Sequence, residues 1–257
     1  LNKLIDFRIN LYNPERINLD SLPTQIEEQN IYEKNAMNYF QEISEQLDES
    51  LRKNISFKIS LDPYSYLNKV TASNKKNIFN LGSYNNTSVM FSYFSPDANI
   101  YAFEPQKEIH NQNVIISKYY PHIVPINAGA WDKTTTLPFK IVDNEGITTS
   151  SMISEDSNDY INVYSIDDYV KENNIKNIDF IKMDIEGAEI EALKGSILSI
   201  KKFMPDLAIS IYHKPEHIVD IPLLIKDFCP EYNIYIGHKY YNPTETVCFA
   251  TKGKNND

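Results

Sequence analysis

Cysteine, long apolar runs and basic clusters are all scarce in this sequence, and each shortage excludes a class of protein. Cys229 and Cys248 are the only cysteines. Two are too few for a disulfide framework or a four-ligand cysteine metal site, so a reducing cytoplasm fits best. No stretch of eighteen apolar residues occurs, so no segment can span a bilayer as a helix. A signal peptide's apolar centre is missing too, because Lys3, Asp6, Arg8, Glu15, Arg16 and Asp20 interrupt the first twenty residues. Thirty-five acids against 25 bases leave a formal charge of −10. That excess is spread along the chain, and a surface of this sign without a basic stripe repels nucleic acid. Leu1 stands where an initiator Met would be, which reads as a piece of a longer chain. What remains, 257 residues that are 42% hydrophobic and 23% charged, is a globular chain able to bury a core.

Two regions differ in pattern. Residues 1–70 read as an N-terminal helical extension: Met37, Phe40, Ile43, Leu47 and Leu51 step at helical spacing, with Glu42, Glu45, Asp48 and Arg52 off the stripe. Such a helix must cover something apolar. It either packs on the following domain beside the acceptor site or makes a homo-oligomer. From 71 to 257 short apolar strands alternate with helices: 78–81, 100–103, 123–126, 178–183 and 207–212 as strands, a helix from about Thr87, one helix from Ile190 to near Pro205, and another over 216–228. A hairpin-like interval, 137–142 and 161–166 around a polar loop, interrupts the series, and strands at 232–236 and 246–250 close it. This pattern predicts an α/β, Rossmann-like doubly wound, mostly parallel sheet ending in an antiparallel hairpin. Ligands of such sheets bind beyond the carboxyl ends of the strands.

Those exits carry the chemistry. At the first, Asn80-Leu81-Gly82-Ser83, a glycine lets backbone approach a ligand, or simply makes a tight turn. The pattern G-x-G-x-x-G is absent there, which disfavours a dinucleotide. Glu104, 22 residues after Gly82, sits near the spacing at which a carboxylate receives ribose hydroxyls. Asn127, Ala128 and Ala130, followed by Trp131, make either a slot for a planar base or a packed turn. Asp184, Glu186 and Glu189 crowd one turn; the helix dipole explains Glu189 more readily than Asp184. His213 follows the fifth strand as a candidate base, with His238 after the sixth as a second. His110, His122 and His217 receive no role.

The stretch IDFIKMDIEGAEIEALKG at 178–195 resembles the signature of the FkbM family of methyltransferases. YAFEP at 101–105, NAGAWD at 127–132, YSIDDYV at 164–170, PDLAISIYHKP at 205–215 and YNIYIGHKYY at 232–241 extend the likeness over roughly 77–250, leaving 1–70 outside it. The resemblance implies an S-adenosylmethionine-dependent O-methyltransferase acting on a hydroxyl of a sugar, glycan or small metabolite. On this reading Asn80, Gly82, Ser83, Glu104, Asn127, Ala128, Ala130 and Asp184 meet the cofactor, and Asp184, Glu186 and His213 serve catalysis; a metal-free carboxylate–histidine arrangement is preferred over a divalent cation held by the same residues, because no dense ligand motif is present. In one place the chain departs from the family: where the first motif resembles D-x-G-A-x-x-G, this sequence has Asn80, Gly82, Ser83 and Asn86. The acid and the second glycine are gone. The departure predicts weaker cofactor binding and motivates an alternative, a degenerate methyltransferase-fold module serving as a scaffold in a larger glycan-assembly protein.

Overall fold

The computed structural model describes residues 70–84, 87–144, 147–154, 157–238 and 246–252. The amphipathic stripe at 31–52 lies outside them. The main sheet has seven strands in the order β3-β2-β1-β8-β9-β11-β10. Five run parallel in its middle and at one edge: β1 (Asn77–Leu81), β2 (Asn99–Phe103), β3 (Ile123–Ile126), β8 (Phe180–Met183) and β9 (Asp206–Ser210). β10 (Asn233–His238) and β11 (Thr246–Thr251) form the expected antiparallel pair. Sequence order does not reveal that β11 inserts between β9 and β10. His238 is therefore the last residue of β10, opposite Thr246, and not a residue beyond the strand.

Apolar runs buried on both faces are what a parallel sheet between two helix layers requires. On one face Phe79, Leu81, Ile181, Met183, Leu207 and Ile209 meet the helices α3 (Ile166–Glu172), α4 (Glu189–Lys194), α5 (Ile197–Phe203) and α6 (His217–Phe228) through a single core. Toward the other lie α1 (Thr87–Phe94) and α2 (Lys107–Ser117), with Phe91 of α1 edge-on to Phe180 at 5.7 Å.

Two expectations need correction. The polar loop of the hairpin-like interval contains a strand: β5 (Thr135–Asn144) pairs with both β6 (Ile147–Ile153) and β7 (Tyr160–Tyr164) in a second sheet of order β4-β7-β5-β6, with β4 at Gly129–Ala130. The run ITTSSMI carries no alternating apolar pattern to mark a strand, and its ladder comes from pairing with β5. The long helix after 190 is two helices. At Gly195 a Cβ would lie 2.0 Å from the Trp131 carbonyl oxygen. The Gly195 carbonyl accepts from Asp167 N and Ser165 Oγ, while the Asp167 carboxylate caps α5 through Leu198 N at 3.0 Å and Ser199 N at 2.7 Å. A non-local clamp breaks a locally continuous pattern.

Candidate functional site

The exits of β1, β2 and β8 are tied into one turn. Gly82 N and Ser83 N donate to the Phe103 carbonyl at 3.1 and 3.0 Å, and Asp184 N donates to the Leu81 carbonyl at 3.2 Å. Gly82 adopts φ +79°, and a Cβ there would lie 2.0 Å from the Asp184 carbonyl oxygen, so glycine is required both for conformation and for closeness. Ser83 is buried and accepts from Asn113 Nδ2 of α2 at its Oγ (2.7 Å) and carbonyl (3.2 Å). Asn80 is fully buried, and its Nδ2 donates to Thr87 Oγ1 at 2.8 Å and Ser88 Oγ at 2.9 Å. It thus braces β1 against the start of α1.

Lys182 joins the site although no motif in the sequence assigns it a role. It lies wholly buried in β8, donates from Nζ to the Gly82 carbonyl at 2.6 Å, and stands 4.0 Å from Asp184 Oδ2. Burial pushes its pKa down, against the pull of Asp184, Glu104, Glu189 and Glu186. A charge inside a four-residue apolar strand was the available signal, because buried lysines are rare without partners.

Glu104 is 6% exposed and takes Gln106 N–H on Oε1 at 2.8 Å. Burial raises its pKa to about 7, against the lowering effects of that bond and of Lys182. Asn127 Nδ2 donates to the carbonyls of Glu104 (3.0 Å) and Pro105 (3.1 Å), linking the third exit to the second. Ala128 and Ala130 are both buried, and Ala130 lies in β4 against Tyr164.

Because β8 and β9 are neighbours, the catalytic candidates converge. His213 Nε2 is 3.4 Å from Asp184 Oδ1 and 3.7 Å from Glu186 Oε2, and Tyr212 Oη donates to Asp184 Oδ1 at 2.9 Å. Glu186 holds φ +54°, an uncommon conformation for a residue with a side chain, and its side chain is 39% exposed. Burial raises its pKa; His213 opposes this while Asp184 and Glu189 add to it. The residue in shortest contact with His213, however, is Glu189: its Oε1 is 2.9 Å from His213 Nδ1. His217, given no role from sequence, brings Nδ1 to 3.4 Å from Glu189 Oε2. Burial lowers the His213 pKa, but Glu189, Asp184 and Glu186 more than reverse this and hold it above its ordinary value. Asp184, Glu189 and His213 each offer a ligand atom within 4.8 Å of the others, although Glu189 Oε1 already accepts N–H groups from Ile185 and Gly187. No helix among the described residues is long and apolar enough to cross a membrane.

A parallel sheet flanked by helices, closed by an inserted antiparallel strand and bearing a glycine turn beside an acid-rich exit, defines a Rossmann-like fold of the methyltransferase type. Residues 46–232 match the Methyltransferase FkbM domain, and the chain belongs to that family. The match reaches further toward the N-terminus than the motifs do. Among solved structures the chain is similar to Methyltransferase FkbM from Methylobacillus flagellatus KT, with 22% identity and a TM-score of 0.55 over 84% of this chain. It spans 59% of that protein's length. It is also similar to fibrillarin from Aeropyrum pernix, solved with natively bound S-adenosyl-L-methionine, at 11% identity and a TM-score of 0.46 over 70% of this chain and 67% of that one. No match is found among curated protein sequences.

Proposed function

We propose that the protein is an S-adenosylmethionine-dependent O-methyltransferase whose acceptor is a hydroxyl of a sugar, glycan or small metabolite. The observation that carries this reading is the convergence of His213, Asp184 and Glu186 beside the Gly82 turn, with Glu104 buried at the next exit. The residues fit the cofactor: at Gly82 only bare backbone is tolerated, and Glu104 is a buried carboxylate with several acceptor positions, one taken by Gln106 N–H. Gly82 and Ser83 would border the methionine end, Glu104 the ribose, and Asn127 to Ala130 the adenine. Asp184 lies between them and the acceptor space. When bound, the cofactor supplies a methyl group on a sulfonium, a leaving group that needs no acid. The protein's own task is to align the hydroxyl and take its proton. His213 is the residue assigned that proton, with Asp184 and Glu186 placed to stabilise the imidazolium that forms.

Calorimetry with S-adenosylmethionine tests the first half of this reading. Absence of heat and of any rise in melting temperature at millimolar ligand would favour the scaffold alternative, which draws support from the commitment of the Asn80 amide to Thr87 and Ser88. Turnover is expected to survive exhaustive chelation and to fall at least a hundredfold in His213→Ala with cofactor affinity intact. Loss of turnover on chelation, restored by magnesium or manganese, would replace the metal-free mechanism with a cation at the same carboxylates.

Glu104 supplies a test with two readouts. Glu104→Gln should weaken S-adenosylmethionine by roughly 1.5–3 kcal/mol, the scale of a hydrogen bond to a charged group. The folded-state pKa near 7 lies above the ordinary 4.5, so the folded protein binds this proton more tightly than the unfolded chain. Stability therefore rises as pH falls from about 7 toward 4.5, and ionised Glu104 costs roughly 3 kcal/mol above that window. At pH 8 the Gln variant should be more stable to urea while binding the cofactor less well. Equal stability across pH 5–8 in wild type and variant would remove the assignment of a strained, function-serving acid.

A further inference from the structure

One row of register partners crosses the main sheet as Pro125, Ala102, Asn80, Lys182, Ala208 and Phe249. Lysine is the only charged member of that row. Asn80 and Lys182 stand side by side, both buried, on the face opposite the core that holds Phe79, Leu81, Ile181 and Met183. Asn80 is neutral, and its Nδ2 is committed to the Thr87 and Ser88 hydroxyls. The lysine reaches toward the strand exits. Its Nζ donates to the Gly82 carbonyl at 2.6 Å and the Leu81 carbonyl at 3.4 Å, and lies 4.0 Å from Asp184 Oδ2. Two carbonyls and a carboxylate all accept, which suits an ammonium with three N–H donors. A buried charge is weakly screened, so it is felt across the turn above it.

We propose that Lys182 is a specificity-determining residue of the cofactor site: its fixed positive charge beneath the Gly82 turn sets the relative grip on S-adenosylmethionine and on S-adenosylhomocysteine, the thioether left after transfer. The proposal rests on the reading of the Gly82 turn as the cofactor site. The two ligands differ by a methyl group and one positive charge. In the transfer the acceptor oxygen bonds to the methyl carbon as the carbon–sulfur bond breaks, sulfur keeps the electron pair and loses its charge, and the hydroxyl proton passes to His213. A fixed cation repels the sulfonium and leaves the neutral thioether unaffected, so it favours the state in which that charge is gone. Asp184 and Glu186 pull the other way. Lys182, in contact with both the turn and Asp184, tempers their hold on the charged form.

Calorimetric titration of the full chain with each ligand, in one buffer, tests this through the ratio of the two affinities. Lys182→Gln removes the charge and retains an N–H donor. Asn80→Asp leaves Lys182 in place and sets a carboxylate beside it in the row, where the Thr87 and Ser88 hydroxyls can turn to donate. Each change cancels the positive charge of the pair. Each should shift the ratio toward S-adenosylmethionine by about fivefold or more, the scale of a charge interaction across a partly buried site. A purely structural role for Lys182 would weaken both ligands together and leave their ratio as it is. An unchanged ratio, or one shifted toward S-adenosylhomocysteine, would overturn the proposal. If Lys182→Gln does not fold, Asn80→Asp decides the matter alone. A wild type that binds neither ligand would overturn the proposed function and this proposal with it, whereas binding of both at a ratio common to wild type and variants would overturn this proposal alone.

Discussion

Gly82→Ala is expected to cost about 4 kcal/mol or more in folding stability, among the largest effects of any single substitution. The left-handed backbone at φ +79° accounts for about 1–2 kcal/mol of strain once a Cβ is present. The rest comes from overlap: the new methyl would sit 2.0 Å from the Asp184 carbonyl oxygen, a backbone atom that cannot swing aside as a side-chain tip does. Relief requires the exits of β1 and β8 to part, which also separates the glycine turn from the candidate catalytic acids. Gly187→Ala is the control. Its φ of +93° imposes comparable strain, but the Cβ meets only the flexible end of Lys214, at 2.9 Å from Cε. A cost of about 1–2 kcal/mol is expected there. Urea unfolding of both variants gives the comparison, and equal costs would show that close approach of the two exits is not what Gly82 serves.

Lys182→Met should destabilise by about 3–5 kcal/mol at pH 8, because removing one member of a buried charged cluster leaves the others uncompensated. Methionine fills much of the volume, so the loss reports charge and hydrogen bonding more than packing. The Gly82 carbonyl loses its donor at 2.6 Å, and Asp184 and Glu104 lose their buried cation. The pH dependence has a definite sign. Glu104 already holds its proton up to about pH 7 and would hold it more tightly without Lys182. The penalty should therefore shrink at pH 5, where one of the two orphaned acids is neutral. A penalty that does not change between pH 5 and 8 would mean that Lys182 acts through its backbone bonds alone.

The parallel core and most strand exits were legible because each strand is a short apolar run ended by a polar turn. Gly82, Glu104, Asp184 and His213 each follow a strand end that the apolar pattern marks. The adjacency that brings His213 to Asp184 also followed, since a single crossover joins neighbouring parallel strands. Hidden from sequence were features whose cause is distant in the chain. Gly195 interrupts a helical pattern because of Trp131, 64 residues earlier. Glu189 satisfies the helix-dipole explanation locally, and the approach of His213 and His217 from beyond β9 has no local signature. The sequence of β6 has no alternating apolar pattern, so only its pairing with β5 defines it as a strand.

The place of β11 has a consequence for how the chain is made. All six of its residues are buried, and it separates β9 from β10 although it is the last of the described strands to be translated. Until Thr246–Thr251 clears the ribosome, the edge of β9 has no partner, and β10 cannot dock in its final position. At about 5–20 residues per second the ribosome leaves that apolar edge open for a time on the order of seconds. An open strand edge is a template for pairing with another chain. A holdase that recognises extended apolar segments would find Leu207–Ile211 during this interval, and premature termination before residue 246 would leave the same edge open for good.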